Sequence, residues 1–393
     1  MKKSFIVALL SFAMCAQAGN GVKEGKWTGT WAAAPQLAAG QDMPAGTDLS
    51  GMSLRQIVRV SVGGDVLRLQ LSNEYSKTPV EIKSVYIATA GDSCVINKGS
   101  AKYLTFGKKR NVTIEAGKAV MSDAIKFDLK PLQRLAITVN YGSTPKEATS
   151  HLGSRTTSYI IKGTSKPGSN FSNAMKVDHW YNISAIDISS EDKSTVAVLG
   201  NSITDGRGST TNMQNRWTDV LATNLQAEGK NLGVLNLGIG GNCVLKGGLG
   251  TPAMQRYDRD IIAQRGVSAV VIFEGVNDIG SINGNSEAMT AKLIDAYTQL
   301  AKKAREHGYK VYGATITPFG GHSYFTFFRE AARQAVNEWI RTSGTFDGVI
   351  DFDKLMRDPS EPSKLKADLQ EDWLHPNAAG YKVMGEYAAK IIK

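Results

Sequence analysis

The spacing of apolar residues changes near residue 190, and that change limits the folds open to the chain more than any other feature. From about Gly51 to Tyr141 the period is two. Val58, Val60 and Val62 alternate with Arg59 and Ser61; after Gly63-Gly64-Asp65, Leu67, Leu69 and Leu71 alternate with Arg68, Gln70 and Ser72. Successive strand residues point to opposite faces, so the pattern predicts a β-hairpin with one buried face. Ile125-Phe127-Leu129 and Leu135-Ile137-Val139 repeat it, and the region is expected to be an antiparallel sandwich of about 100 to 150 residues.

From Thr195 onward, apolar strand-like runs occur at 195–200, 232–237, 268–274, 310–316 and 348–352. Helix-length stretches separate several of them; in 326–341, Phe328, Ala331, Ala335 and Trp339 fall on one face. Strand and helix in alternation imply a parallel sheet covered on both sides. The last helix is expected to start near Pro376 and run to the C-terminus. The 393 residues fit two domains better than one: a β-rich accessory domain at 19–190 and an α/β domain at 191–393, with 27–36 (WTGTWAAAPQ) free to cross over and join the second.

The N-terminus, MKKSFIVALLSFAMCAQAG, carries two lysines, an apolar stretch and Ala-Gln-Ala at 16–18. It predicts a signal peptide, residues 1–18, and hence a periplasmic or extracellular protein. A lipoprotein anchored at Cys15 is the weaker alternative, because bulky Met14 precedes the cysteine. No apolar run is long enough to span a bilayer, which takes about 20 residues. Cys94 and Cys243 remain after cleavage, either paired or as buried thiols. The formal charge of +10 is spread along the chain. Its densest clusters, Lys108-Lys109-Arg110 and Lys302-Lys303 with Arg305, read as solvated surface, and no nucleic-acid recognition motif accompanies them. Nothing in the sequence specifies an oligomeric state.

In open α/β sheets, ligands bind beyond the carboxyl ends of the strands. Three turn-forming clusters lie at such ends: Gly200-Asn201-Ser202, Gly238 to Asn242, and Gly275-Val276-Asn277-Asp278. Neither a phosphate-cradling loop nor a dinucleotide fingerprint fits, because Gly206 is misplaced and followed by Arg207, and Cys243 stands where the second motif needs glycine. A serine becomes a nucleophile when a base takes its proton and a third group orients that base. Of the five histidines, only His375 has an acid at a telling spacing, Asp372 in DWLHPNAAGY. Pro376 disfavours the α conformation at His375, so an extended turn is expected in which Asp372 reaches Nδ1 and Nε2 stays free for Ser202. The backbone N–H groups of Ser202 and Gly241 and the amide of Asn277 are suitable oxyanion donors. Taken singly, each feature has a structural explanation: a helix cap at Ser202 or Asp372, a tight turn at Gly241, an Asx turn at Asn277-Asp278.

As a set, these residues resemble the SGNH, or GDSL-type, hydrolase family. GNSITDG resembles its first block, with nucleophile Ser202; NLGIGGN the second, with oxyanion donor Gly241; GVND the third, with donor Asn277; DWLHP the last, with Asp372 and His375. TWAAAPQ, SLRQIVRVSV and TITPF are similar to secreted bacterial members with a β-rich N-terminal region. The resemblance implies a flavodoxin-like, doubly wound five-stranded parallel sheet preceded by a β-sandwich-like domain. It implies a serine esterase that uses no metal or organic cofactor and acts through an acyl-enzyme. One departure stands out: Asn201 occupies the place of the family's usual aspartate. Secreted relatives point to acylated carbohydrate as substrate, with Trp31, Trp180, Tyr181 and Trp373 as candidate stacking residues. The alternatives are a lipid- or aryl-ester hydrolase and a carbohydrate-binding protein with a relic site.

Overall fold

In a computed structural model, residues 25–44 and 47–393 are described; the expected leader at 1–18, Cys15 included, lies outside them. The framework strands of the first half are β1 (Trp27–Ala32), β2 (Met52–Arg59), β3 (Gly64–Asn73), β4 (Val80–Thr89), β5 (Arg134–Tyr141), β6 (Ala148–His151), β7 (Ser158–Lys162) and β8 (Ile183–Ser189). β1, β8 and β3 run side by side in one antiparallel sheet, and β7, β2, β5 and β4 in another. Leu67, Leu69 and Leu71 of β3 and Ile186 and Ile188 of β8 share a core with Leu54 and Val58 of β2 and Ile137 and Val139 of β5. That is the packing of a sandwich.

The hairpin expected across Gly63-Gly64-Asp65 does not form, because β2 and β3 belong to different sheets. The chain crosses between them through Val60, Ser61 and Val62, where the N–H of Ser61 donates to the Thr30 carbonyl at 2.9 Å and that of Val62 to Thr30 Oγ1 at 3.0 Å. Nor is only one face of β2 buried. The Arg55 guanidinium lies over the Phe171 ring and donates to the Cys94 carbonyl, so β2 is covered on its outer side as well. Period-two alternation is the same for a hairpin and for strands of opposed sheets, since both turn their apolar residues inward.

The second half is an α/β layer structure. Strands β9 (Ser194–Gly200), β10 (Leu232–Gly238), β11 (Val267–Phe273), β12 (Lys310–Ala314) and β13 (Gly348–Ile350) form one parallel sheet in the order β10-β9-β11-β12-β13. This is the flavodoxin-like order, in which the direction of winding reverses at the first strand. The helices used below are α1 (Ser202–Asp205), α2 (Trp217–Ala227), α3 (Ser286–Glu306), α4 (Phe327–Thr342) and α5 (Ala378–Ile391). Val196 and Val198 of β9 pack with Leu221 and Leu225 of α2 and Met384 and Ala388 of α5. Their neighbours Ala197 and Leu199 pack on the other side with Leu293 of α3 and Val336 and Ile340 of α4.

Two helix expectations need correction. On α4 the buried apolar residues are Ala332, Val336 and Ile340, whereas Phe328, Ala331 and Ala335 are exposed. Polar residues share the buried face: Arg333 pairs with Glu330 and Asp353, and Asn337 bonds the Ile316 backbone, which breaks the apolar stripe. The last helix begins at Ala378, two residues after Pro376, so the proline precedes the helix rather than standing in its first turn, and Asn377 caps it by accepting from the Gly380 N–H at 3.0 Å.

β1 pairs with β8 rather than joining the parallel sheet. It nevertheless lies against β10, with Ala32, Ala34 and Ala185 in the core that holds Leu235 and Leu237, and the N–H of Gly29 donates to the Arg265 carbonyl, just ahead of β11, at 2.8 Å.

Candidate active site

Ser202 stands at the carboxyl end of β9 as the first residue of α1, and the cap of that helix is Asn201, whose Oδ1 accepts from the Ile203 N–H at 3.0 Å. The serine is therefore not the cap. Its Oγ lies 2.8 Å from His375 Nε2. On the far side of the ring, Nδ1 is 2.8 Å from Asp372 Oδ2 and 3.0 Å from Oδ1. Asp372 also folds the segment that carries the histidine. Its Oδ1 accepts from the N–H groups of Leu374 at 3.1 Å and His375 at 2.8 Å, and the Glu371 N–H closes the turn on the His375 carbonyl. One carboxylate thus shapes the turn and orients the imidazole.

The electrostatics suit a neutral imidazole. Burial pushes His375 below its ordinary value, Asp372 pulls it back by hydrogen bond and charge, and Arg207 and His322 push it down again, leaving it lowered. Burial alone would raise the Asp372 carboxyl, but the His375 backbone N–H, the imidazole and the Leu374 N–H outweigh it and hold the group below the usual carboxylate range. Arg207 Nε stands 3.8 Å from Asp372 Oδ2. His322, on the neighbouring loop, is lowered chiefly by burial.

Three potential donors lie just past the carboxyl ends of the neighbouring strands β9, β10 and β11. Among the described residues, the backbone N–H groups of Ser202 and Gly241 donate to no protein group. Asn277, at the end of β11, gives one amide hydrogen to the Asn242 carbonyl at 2.7 Å, leaving the second free. The Tyr324 hydroxyl donates to Asn277 Oδ1 at 3.1 Å, which fixes the way the amide faces. Asp278 braces the adjoining loop by accepting from the N–H groups of Val244 at 2.8 Å and Leu245 at 3.1 Å. Leu249 is 64% exposed beside Gly241, so an apolar side chain borders these donors.

Behind the serine lies a buried polar group that the sequence motifs did not single out. Asn201 Nδ2 donates to Glu274 Oε2 at 3.3 Å, and Arg256 Nη2 is 3.5 Å from Glu274 Oε1. Burial pushes the Glu274 carboxyl up to about 8, with Arg256 opposing and Asp278 adding to the rise. An aspartate at 201 would set a second carboxylate against Glu274, whereas the asparagine amide supplies a hydrogen bond. The available signal was an acid ending an apolar run, SAVVIFE. Asp205 lies within GNSITDG, but neither its partner His151, 2.9 Å away, nor Tyr324 belongs to a local pattern that spacing could expose.

Trp31, Trp180 and Tyr181 are core residues, at most 6% exposed, and offer no stacking surface; Trp373 alone of the four is half-buried, next to Asp372. Cys94 and Cys243 are free thiols, the latter buried and pushed up to about 12 by burial and by Asp278 and Glu274. Lys303 and Arg305 pair with Asp258 and Asp347 at the surface. Among the described residues, no group of three or more His, Cys, Asp or Glu side chains is placed to hold a metal ion, and no helix is long and apolar enough to cross a membrane.

Comparison with known proteins adds a family. Residues 198–383 match the model of the GDSL-like lipase/acylhydrolase family. No curated protein matches the chain. Among solved structures, a GDSL-like lipase from Bacteroides thetaiotaomicron VPI-5482 is 19% identical over 50% of this chain and 86% of its own, with a TM-score of 0.37. The acetyl xylan esterase AlAXEase is 18% identical over 50% and 98%, with a TM-score of 0.39. The psychrotrophic esterase EstA from Pseudoalteromonas sp. is 20% identical over 50% and 96%, with a TM-score of 0.37. Members of the matched family are carboxylic ester hydrolases, and residues 198–383 are a GDSL-like lipase/acylhydrolase domain.

Proposed function

We propose that the protein is an exported serine esterase that removes short acyl groups, foremost O-acetyl groups, from carbohydrate. The observation that carries the reading is the continuous line from Asp372 through His375 to Ser202 Oγ, at 2.8 Å for each step. A lowered imidazole provides a base at neutral pH. Ser202 Oγ attacks the ester carbonyl carbon as its proton passes to His375 Nε2. The developing oxyanion is taken up by the N–H groups of Ser202 and Gly241 and the free amide hydrogen of Asn277. His375 then gives the proton to the departing alcohol oxygen, and the carbon–oxygen bond to the alcohol breaks. Water, activated by the same imidazole, attacks the acyl-enzyme and releases the acid. Asp372 holds the ring in the required tautomer throughout.

Export rests on the leader-like residues 1–18, and the division into 19–190 and 191–393 on the change of architecture between β8 and β9. Replacing Ser202 by Ala is expected to abolish turnover of a chromogenic acetate ester, and retained turnover would refute the mechanism. Acetate released from acetylated polysaccharide, with octanoyl esters cleaved more slowly than acetyl esters, is the result expected for the substrate class. Preference for octanoyl esters would instead assign lipid-like esters, with Leu249 as an acyl contact.

A further inference from the structure

The mechanism leaves the buried pair His151 and Asp205 without a task. His151, the last residue of β6 in the first half, and Asp205, three residues after Ser202 in the second, are 4% and 2% exposed. His151 Nε2 is 2.9 Å from Asp205 Oδ1, and Nδ1 is 2.9 Å from the Ala34 carbonyl oxygen. The Trp180 ring stacks on the imidazole at 5.7 Å between centroids and is itself tethered by its Nε1–H to the Ile57 carbonyl. The other oxygen of Asp205, Oδ2, accepts from the Gly240 N–H at 3.1 Å. Gly240 immediately precedes Gly241, whose N–H is an oxyanion donor in the proposed reaction.

The first half is shaped to receive Asp205. A Cβ at Gly153 would overlap the Asp205 carboxylate, so the backbone beyond β6 makes a seat that only glycine leaves open. Arg155, in the same segment, brings a guanidinium nitrogen to 4.0 Å from Asp205 Oδ2. The Asp205 N–H donates to the Asn201 carbonyl at 2.9 Å, tying the same residue into the turn that carries Ser202. One residue thus touches the nucleophile's turn by its backbone N–H, the donor's turn by one carboxylate oxygen and the opposite half of the molecule by the other. Misplacing a reacting group by about 1 Å costs on the order of 10²-fold in rate.

We propose that His151 and Asp205 are positioning residues: the β-rich half reaches through them to hold the Gly240–Gly241 turn, and with it an oxyanion donor, in place against Ser202. The proposal rests on the esterase reading above. It gives the first half a part in catalysis without any contact with substrate.

The test compares the full-length wild type with Asp205→Ala and Asp205→Asn. Asp205→Ala is expected to lower kcat on the order of 10–100-fold with KM little changed, and to speed amide hydrogen exchange in the peptide covering 239–242. Asp205→Asn is expected to restore most of both, because its Oδ1 can still accept from Gly240 and its Nδ2 can donate to the His151 ring. A merely structural role would lower the melting temperature without this split or this rescue. If Asp205→Ala does not fold, His151→Ala, which keeps the carboxylate, is expected to show the same pattern more weakly. A folded Ala variant with wild-type kcat, or with unchanged exchange at 239–242, overturns the proposal; so does Asp205→Asn as damaged as Asp205→Ala. Failure of the esterase reading shows separately, as turnover that survives Ser202→Ala, and the exchange measurement then still decides whether Asp205 braces the turn.

Discussion

Protonation of His375 sets the acid side of the activity profile. The base works unprotonated, and its value lies below the ordinary imidazole figure of about 6.5. The acid limb of kcat/KM is therefore expected below that pH. Arg207, exposed beside Asp372, contributes to the lowering, so Arg207→Gln should shift the limb to higher pH; a limb that stays put or moves down contradicts the assignment. Glu274 makes the opposite kind of prediction, in stability. Its folded value of about 8 is above that of an unfolded glutamate, so the native state holds a proton that the unfolded state releases. The stability it contributes is complete below the unfolded value and is lost as pH rises through the folded one. Between about pH 5 and pH 8 the wild type should lose stability relative to Glu274→Gln in chemical unfolding, and parallel pH curves would refute this. Ser202, Gly241, Asn277, Asp372 and His375 were nameable because each sits in a short stretch whose chemistry is local. The roles of Glu274, Tyr324 and His151 were not, nor was the pairing of Asp205, because their partners are distant in sequence: Tyr324 meets Asn277 and His151 meets Asp205 only once the fold exists.

Strand positions in the second half were legible because a doubly covered parallel strand is apolar throughout, as TVAVLG and SAVVIFE are. The face of α4 was not, because the Arg333 and Asn337 side chains occupy interior positions through partners on other elements. The pairing of β2 was not either, since alternation records which way a side chain points and not which strand lies alongside. Helix packing supplies a prediction at this scale. α2 and α5 cross at Gly385, where a Cβ would lie 2.5 Å from Val220 Cβ and 2.6 Å from the Trp217 carbonyl oxygen. Alanine favours a helix over glycine by about 1 kcal/mol, yet a backbone oxygen cannot turn aside as a flexible side chain can. Overpacking typically costs about 1–3 kcal/mol, so Gly385→Ala is expected to be net destabilising by about 1 kcal/mol in equilibrium unfolding, and a stabilised variant would show that the helices separate without strain.

The two halves are joined by more than the covalent chain. Ser61 Oγ accepts from the Val234 N–H at 3.0 Å, the Tyr75 hydroxyl lies 2.6 Å from Thr251 Oγ1, and Arg259 donates to Tyr75 at 2.8 Å. Arg216 donates to the Ser154 carbonyl, and Asn212 Oδ1 accepts from the Thr157 N–H at 2.8 Å. Between these polar contacts, β1 places Ala32 and Ala34 in the core beside Leu235 and Leu237. Residues 191–393 carry the Ser202, His375 and Asp372 line, but alone they would leave part of that core uncovered, at about 25 cal/mol for each Å² of apolar surface returned to water. They would also leave Asp205 and Arg216 without partners from the first half. The full chain is accordingly expected to unfold in one cooperative transition seen alike by fluorescence and circular dichroism. A chain beginning at residue 191 should bind an apolar dye and, where it stays soluble, turn over acetate esters with a kcat reduced as far as that of Asp205→Ala. Two separate transitions, or a shortened chain with full kcat, would mean that the β-rich half is a passenger and that the contacts between the halves do no more than dock it.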